Sequence, residues 1–459
     1  MNMQNKISLE SMIESLLESK KYNTLKDVLS TMNAADIAAV FDELPQDTLP
    51  RLFRLLPKEL AADAFVEMEG DLQQLLIDGF TDAELRQIIS EMFVDDAADL
   101  VEEMPANVVS RILKQADPEK RRMINQILQY PDDSAGSIMT TEYVSLRPTM
   151  TVFEAISRIR EIGVNKASID TCFVVDEKRC LIGTVTLRML ILSPEDAVVS
   201  ELVEPTVIFV QTSEDQETVA SHFAKYDLNA LPVVDGENRL VGIVTVDDAV
   251  DVLVEEATED IEKMAAITPS DKPYLKTTVW QLWKSRIPWL LFLMLSATLT
   301  GIIINKFEGA LAAQVTLTAF IPMLMGTGGN SGSQSSVTVI RALSLGEVSF
   351  GDLPQIIWKE TRTAVLCGLS LAVACFLKIW LVDKLLLGNP DISVLVNAVV
   401  CLAMFATVLA AKIIGAVLPM AAKALKLDPA VMASPFITSI VDALSLLVYF
   451  LFATAILGI

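Results

Sequence analysis

A multidomain membrane protein is the fold class this sequence predicts: an all-α superhelical N-terminal part, an α/β duplicated part, and an α-helical bundle of five spans per protomer. Three observations carry that expectation. The formal charge of −23 is unevenly placed: the net is −26 before Trp283 and +3 from there on, where the chain turns strongly apolar. A middle block recurs at a constant offset of 59 residues. Apolar stretches near 287–304, 311–340, 362–382, 393–418 and 431–457 approach or exceed the roughly 20 residues that a spanning helix needs.

Residues 1–130 read as helical and repetitive. Apolar residues recur at helical spacing in Leu25-Lys26-Asp27-Val28-Leu29 and in Ile37-Ala38-Ala39-Val40-Phe41. The units F-D-E-L-P (41–45), F-R-L-L-P (53–57) and V-E-E-M-P (101–105) each pair an apolar helix end with a proline stop. Stacked helical hairpins of solenoid type follow.

Residues 131–200 and 201–250 read as two copies of one α/β unit. Phe173-Val174-Val175-Asp176 through Gly183-Thr184-Val185-Thr186 aligns with Pro232-Val233-Val234-Asp235 through Gly242-Ile243-Val244-Thr245. Each copy is a strand, a polar turn, a second strand and a helix start. The pair resembles tandem CBS domains, a regulatory module that often binds adenine nucleotides. That resemblance implies an acid for the ribose hydroxyls in the motif h-G-h-h-T/S-x-x-D. The second copy keeps it (Gly242, Thr245, Asp248); the first has Met189 where the acid belongs, which counts against ATP.

Residues 247–275 form an acidic connector. Asp248, Asp251, Glu255 and Glu259, at spacings of three and four, lie close to one helical face. Like charges so placed repel by a few tenths of a kcal/mol per pair, so bound cations or facing basic residues are expected to offset them. A solvated connector helix is the plainer alternative.

From 276 to 459 the chain is membrane domain. Lys284 and Arg286 precede the first span; Arg341, Lys359 and Arg362 separate the second and third; Lys412, Lys423 and Lys426 lie near the loop between the fourth and fifth. The positive-inside rule then puts the acidic front half in the cytosol and the C-terminus outside. No apolar signal core opens the chain. Five spans enclose little of a pathway, so a two-fold homodimer in a lipid bilayer is expected, with no obligate protein partner evident.

Two stretches carry the chemistry. Ile321 to Ser336 holds Gly326, Gly328, Gly329, Gly332, Asn330 and Gln334 within an apolar region. Such small residues let helices approach closely; the amides, four apart, favour a polar lumen. In the last span, Asp442 is the only carboxylate within any of the five stretches. A charge at membrane depth usually marks a pathway, a relay or a buried partner, for which Lys378 is the main candidate. Thr438 lies one turn earlier, and Pro435 is expected to free a backbone carbonyl. Carboxylate, carbonyl and amide ligands suit hard cations such as Mg2+ or Ca2+.

Other classes are poorly supported. The five cysteines show no zinc or haem spacing and His222 is the single histidine. There is no Walker lysine loop and no nucleophile elbow, so the chain is not expected to be an enzyme. The acidic front half lacks the clustered Lys and Arg that nucleic acid requires.

The whole chain closely resembles the MgtE family of magnesium channels. The resemblance rests on the domain order, on Y-P-D-D-S-A-G-S-I-M-T (130–140), on P-M-L-M-G-T-G-G-N-S-G-S-Q-S-S (322–336) and on D-P-A-V-M-A-S-P-F-I-T-S-I-V-D (428–442). It implies a homodimer in the cell (inner) membrane whose pore is lined by the second and fifth spans. The family's pore aspartate falls on Asp442 and its glycine-asparagine segment on Gly328, Gly329 and Asn330. The family's plug helix falls on Asp248, Asp251, Glu256, Glu259 and Asp260, and cytosolic magnesium positions on Asp95, Asp99 and Gly136. Glu255 joins the regulatory set by its place on the connector's acidic face. The implied activity is Mg2+ uptake shut by cytosolic Mg2+. A membrane-anchored Mg2+ or nucleotide sensor without transport, and passage of Co2+, Mn2+ or Ca2+ instead, are the alternatives.

Overall fold

The structure is a computed structural model describing residues 3–270, 272–388 and 392–458. It divides into two compact units, Met1–Leu253 and Val254–Ile459.

The front unit begins with a run of short helices from Met3–Glu18 to Pro118–Ile127. Alternate helices stack: Ala34–Glu43 on Lys58–Val66, that on Asp82–Glu91, and that on Ala106–Gln115. The prolines act twice. Leu44 and Met104, each before a proline, leave the helix with extended backbone, the conformation a following proline imposes. Pro57 and Pro105 are also the N-caps of the next helices. One apolar core runs through the stack, with Phe53, Phe65 and Phe80 in mutual contact at ring centroids 5.2–6.2 Å apart. The expected superhelix is present.

Two three-stranded sheets follow, β1 (Tyr143–Leu146), β2 (Ser168–Val175) and β3 (Leu181–Thr186), then β4 (Val210–Gln211), β5 (Ala230–Val234) and β6 (Leu240–Thr245). In each, the first pair is parallel and the second antiparallel. Phe173, Val175, Ala230, Leu240 and Ile243 form the apolar seam joining the copies. Gly183 and Gly242 hold equivalent places. A Cβ at Gly183 would stand 2.6 Å from the Glu204 carbonyl oxygen, and one at Gly242 2.8 Å from that of Thr140. Each glycine therefore admits a crossing segment of backbone. Residues 134–140 fall in the first copy by the sequence division, yet they pair with the second: Ala135 N–H bonds Glu214 O, and Thr140 exchanges both backbone bonds with Ile243. The two copies thus share the chain less tidily than a simple tandem division implies.

The connector is one helix, Val246–Met264, and ends eleven residues short of the expected 275. Its first residues belong to the front unit and the remainder to the membrane unit.

In the membrane unit, Val279–Lys306, Phe350–Leu386, Val394–Ala424 and Pro429–Leu457 are helices long and apolar enough to cross a membrane. The glycine-rich helix, Ile321–Ser344, has the length but is diluted by its glycines, serines and amides. It begins at Ile321 with Pro322 in its first turn, rather than near 311, because a 3-10 turn over Val315–Phe320 precedes it. The fourth-span helix, Val394–Ala424, is central and packs against the glycine-rich helix, the third-span helix Leu353–Lys378 and the last helix Ser434–Leu457. Apolar side chains of the first span stay outward-exposed, as a lipid-facing helix requires.

Candidate functional site

Asp442 sits on the last helix, half-buried, and its Oδ1 is buried with no hydrogen-bond partner among the described residues. Lys378 does not neutralise it: its Nζ donates to both carboxylate oxygens of Asp383, at 2.8 and 3.0 Å. Nor does Pro435 free a carbonyl by breaking the helix. It lies in the first turn, where the missing N–H has no intrahelical partner anyway, and its carbonyl accepts from Ser439 Oγ at 3.1 Å.

The glycines explain how the last helix reaches its place. A Cβ at Gly328 would stand 2.7 Å from Ser445 Oγ, one at Gly329 3.0 Å from Thr438 Cγ2, and one at Gly332 2.8 Å from Ile437 Cγ2. Gly328 and Gly329 are therefore buried packing positions within the protomer. They bring the helix bearing Thr438 and Asp442 against the glycine-rich helix. Asn330 is not part of that seam. Gly326, Asn330, Gln334 and Thr338, each four residues on from the last, form an exposed polar stripe along the glycine-rich helix.

Carboxylates of the connector divide between the two units. In the front unit, Asp248 accepts from Thr245 Oγ1 and lies near Asp95, Asp96, Asp99 and Asp247. Asp95 is 7% exposed and its Oδ1 has no hydrogen-bond partner among the described residues. Burial first, then Asp96 and Asp248, pushes the Asp95 carboxyl well above the usual carboxylate range. Burial and the neighbouring acids carry Asp99 to about 7, and burial carries Asp248 to about 6. Glu142, raised by burial, accepts from the Val94 N–H at 3.1 Å, linking the helical stack to the α/β part. The Lys120 ammonium, lowered by burial, donates to the Met92 carbonyl. Asp251, more open, is raised by burial and Asp247. Gly136 is a tight spot beneath Tyr130, where a Cβ would meet the ring at 2.5 Å.

In the membrane unit, Lys263 Nζ donates to Glu259 and Asp428, at 2.6 Å each. Ser344 Oγ donates to Asp260 at 3.4 Å, and burial with Asp428 nearby raises the Asp260 carboxyl. The repulsion along the connector is thus partly offset by a facing lysine of the same helix. Glu255 is exposed and Glu256 half-buried. No group of three acidic, histidine or cysteine side chains among the described residues is already converged for a metal ion.

Several groups lie outside the residues singled out from the sequence: Asp96, Glu142, Asp428, and a network of buried Ser335 and Lys412 with half-buried Glu360. Lys412 reads as a residue near a loop, but it is 5% exposed inside the fourth-span helix. Glu360 falls outside the third apolar stretch because that window opens at 362, whereas the helix starts at Leu353. Asp442 is consequently not the one carboxylate within these helices.

In the first copy of the nucleotide motif Thr186 caps its helix by accepting from the Met189 N–H, and in the second Thr245 Oγ1 donates to the Asp248 carboxylate.

Three family descriptions match the chain: MgtE divalent cation transporter over 321–452, MgtE intracellular N domain over 14–133, and CBS domain over 135–195 and 199–255. A relative from Thermus thermophilus named magnesium transporter MgtE is 35% identical over 441 residues, covering 95% of this chain and 96% of the relative. One of the same name from Bacillus subtilis is 34% identical and covers 96% and 95%. A solved cytosolic domain of the Mg2+ channel MgtE in complex with ATP is similar at TM-score 0.51 and 36% identity, over 53% of this chain and 99% of that domain.

Proposed function

Because the chain belongs to the MgtE family of divalent cation transporters, we propose that it is a Mg2+ channel for uptake across the cell (inner) membrane, closed by Mg2+ on its cytosolic face. One observation carries the residue assignment. Asp442 holds a carboxylate oxygen within an apolar helix, and nothing described in its own protomer satisfies it. An ionised group at that depth costs about 2.5–3.5 kcal/mol, and a passing cation offsets that cost.

Mg2+ keeps most of its water and takes few direct protein ligands. Asp442 and Thr438, with the amides of Asn330 and Gln334, supply donors suited to a hydrated ion. A two-fold homodimer sets the polar stripe of one protomer toward the other and builds the walls that five spans alone lack. The Lys and Arg residues near alternate loops of the membrane unit support a cytosolic front unit and a C-terminus outside.

The acidic residues of the front unit and connector fit a regulatory cation. Asp95 and Asp99, with Asp248 and the loop residue Gly136, would hold it in the front unit; Glu259, Asp260 and Asp428 would do so at the connector's far end, with Asp251, Glu255 and Glu256 between. A bound divalent cation supplies charge neutralisation. With it, these carboxylates lose their mutual repulsion, the closed arrangement is favoured, and several ions together make the response steep. Only the second copy offers an acid for a ribose, Asp248, which also accepts from Thr245; the first has Met189 in that place.

The test is Mg2+ flux into liposomes by Asp442→Asn, which keeps the shape and removes the charge. At least a hundredfold loss is expected, with dimer content unchanged. Flux within twofold of the natural protein would contradict the assignment of Asp442, and an absence of divalent flux in the natural protein itself would favour a sensor that passes no ions.

A further inference from the structure

A second charge system lies in the membrane unit on other helices than that of Asp442, with Ser335 and Lys412 buried and Glu360 half-buried. Ser335 Oγ, 2% exposed, donates to Glu360 Oε2 at 2.6 Å and accepts from Lys412 Nζ at 3.4 Å. One hydroxyl thus joins the glycine-rich, third-span and fourth-span helices. Lys412 makes no direct ion pair within 4.0 Å among the described residues. It lies twelve residues inside the helix that ends at Ala424, about 18 Å along the axis.

The surroundings say what such a system is for. Gly332 and Gly415 bring the glycine-rich and fourth-span helices together backbone to backbone: a Cβ on Gly415 would stand 2.2 Å from the Gly332 carbonyl oxygen. Further along the same two helices Val339 and Leu343 pack with Ala416 and Met420, but at the glycines themselves no side chain fixes rotation about the helix axis. Ser335 is five residues beyond Asn330, about 140° around the helix, so it grips the side away from the exposed polar stripe.

We propose that the Lys412–Ser335–Glu360 network sets the rotation of the glycine-rich helix, and so aims Asn330 and Gln334 at the passing cation. Ser335, Lys412 and Glu360 are positioning residues; they act through the stripe. Charge balance is part of the device. Removing Glu360 strands the buried Lys412 charge in a low-dielectric interior, and removing Lys412 leaves the half-buried Glu360 without its counter-charge.

The inference rests on the channel reading, so its test has one readout that needs no transport. Lys412→Met, Glu360→Gln, the double variant and Lys412→Arg are made in full-length protein, each also on an Asn330→Cys background. One readout is modification of the thiol introduced at position 330 by a membrane-impermeant reagent, located by peptide mass spectrometry. The other is the Mg2+-to-Ca2+ flux ratio in liposomes. Each single neutralisation should change the rate of thiol modification at that position and the flux ratio at least fivefold. Lys412→Arg, which keeps the charged arm, should return both to within twofold, which a merely misfolded protein would not do, and the double variant, which removes both arms, should not. Unchanged modification in all variants overturns the inference, as does a double variant that behaves as the natural protein. Altered modification with no divalent flux even in the natural protein supports the network and overturns the channel reading instead.

Discussion

At Gly415 the fourth-span helix meets the carbonyl of Gly332 with no space for a methyl group. The obstacle is backbone, which cannot rotate away as a side chain can, so Gly415→Ala must separate the helices or bend one of them. Overpacking of this kind costs about 1–3 kcal/mol. The melting temperature of the purified protein should fall by several degrees, while Gly301→Ala, with no atom within 4 Å of the added carbon, should leave it unchanged. A glycine in G-T-G-G-N-S-G reads equally well as pore lining or as packing, because sequence does not say which neighbour stands opposite. The structure puts Gly328, Gly329 and Gly332 in the packing seam and leaves Asn330 on the open stripe. Asp442 is more legible, since a carboxylate in an apolar span demands a reason wherever it points.

On the scale of the element, the connector helix combines two environments. Its first turn contributes Asp247 and Asp248 to the front unit's acids, and its end is tied to the membrane unit by Lys263 between Glu259 and Asp428. Burial works against the Lys263 charge, yet the two charge-assisted bonds hold its ammonium above the usual range. Lys263→Gln removes that tie and leaves Glu259, Asp260 and Asp428 uncompensated. In the absence of Mg2+, cleavage of the connector by a glutamate-specific protease should quicken severalfold, and millimolar Mg2+ should restore protection. Equal cleavage of both proteins would show that the lysine does not hold the helix. The acidic face itself is plain from spacing alone. The partner that offsets it is not, because Asp428 lies more than 160 residues further on. Long helices and the duplicated strands are readable from periodicity; the start at Ile321 and the reach of Leu353–Lys378 are not, because polar residues blur a hydropathy window.

For the molecule as a whole, buried acids set the response to pH. Within a stretch of net charge −26 before Trp283, the front unit buries Asp95, Asp96, Asp99, Asp248 and Glu142 with raised carboxyl pKa values, chiefly through burial. In the pH range between the usual carboxylate values and these raised ones, the folded state binds more protons than the unfolded state. Stability of the front unit therefore rises as pH falls from about 8 toward 5, with most change around the values near 7 and 6 of Asp99 and Asp248. Asp99→Asn should mimic the protonated form, stabilising by about 2 kcal/mol at pH 8 and little at pH 5. Scanning fluorimetry of the full-length protein across pH, with and without Mg2+, checks this; loss of stability on acidification to pH 6 would contradict it. Protons and Mg2+ relieve the same repulsion, so the Mg2+-induced rise in melting temperature should shrink at the lower pH.

The most direct measurement joins pore and gate in one experiment: Mg2+ influx into liposomes while Mg2+ on the front-unit side is stepped from zero to millimolar. Flux at zero should shut off with the step in the natural protein and be missing throughout in Asp442→Ala. Flux that persists unchanged at millimolar Mg2+, or that survives loss of the Asp442 carboxylate, would contradict that expectation.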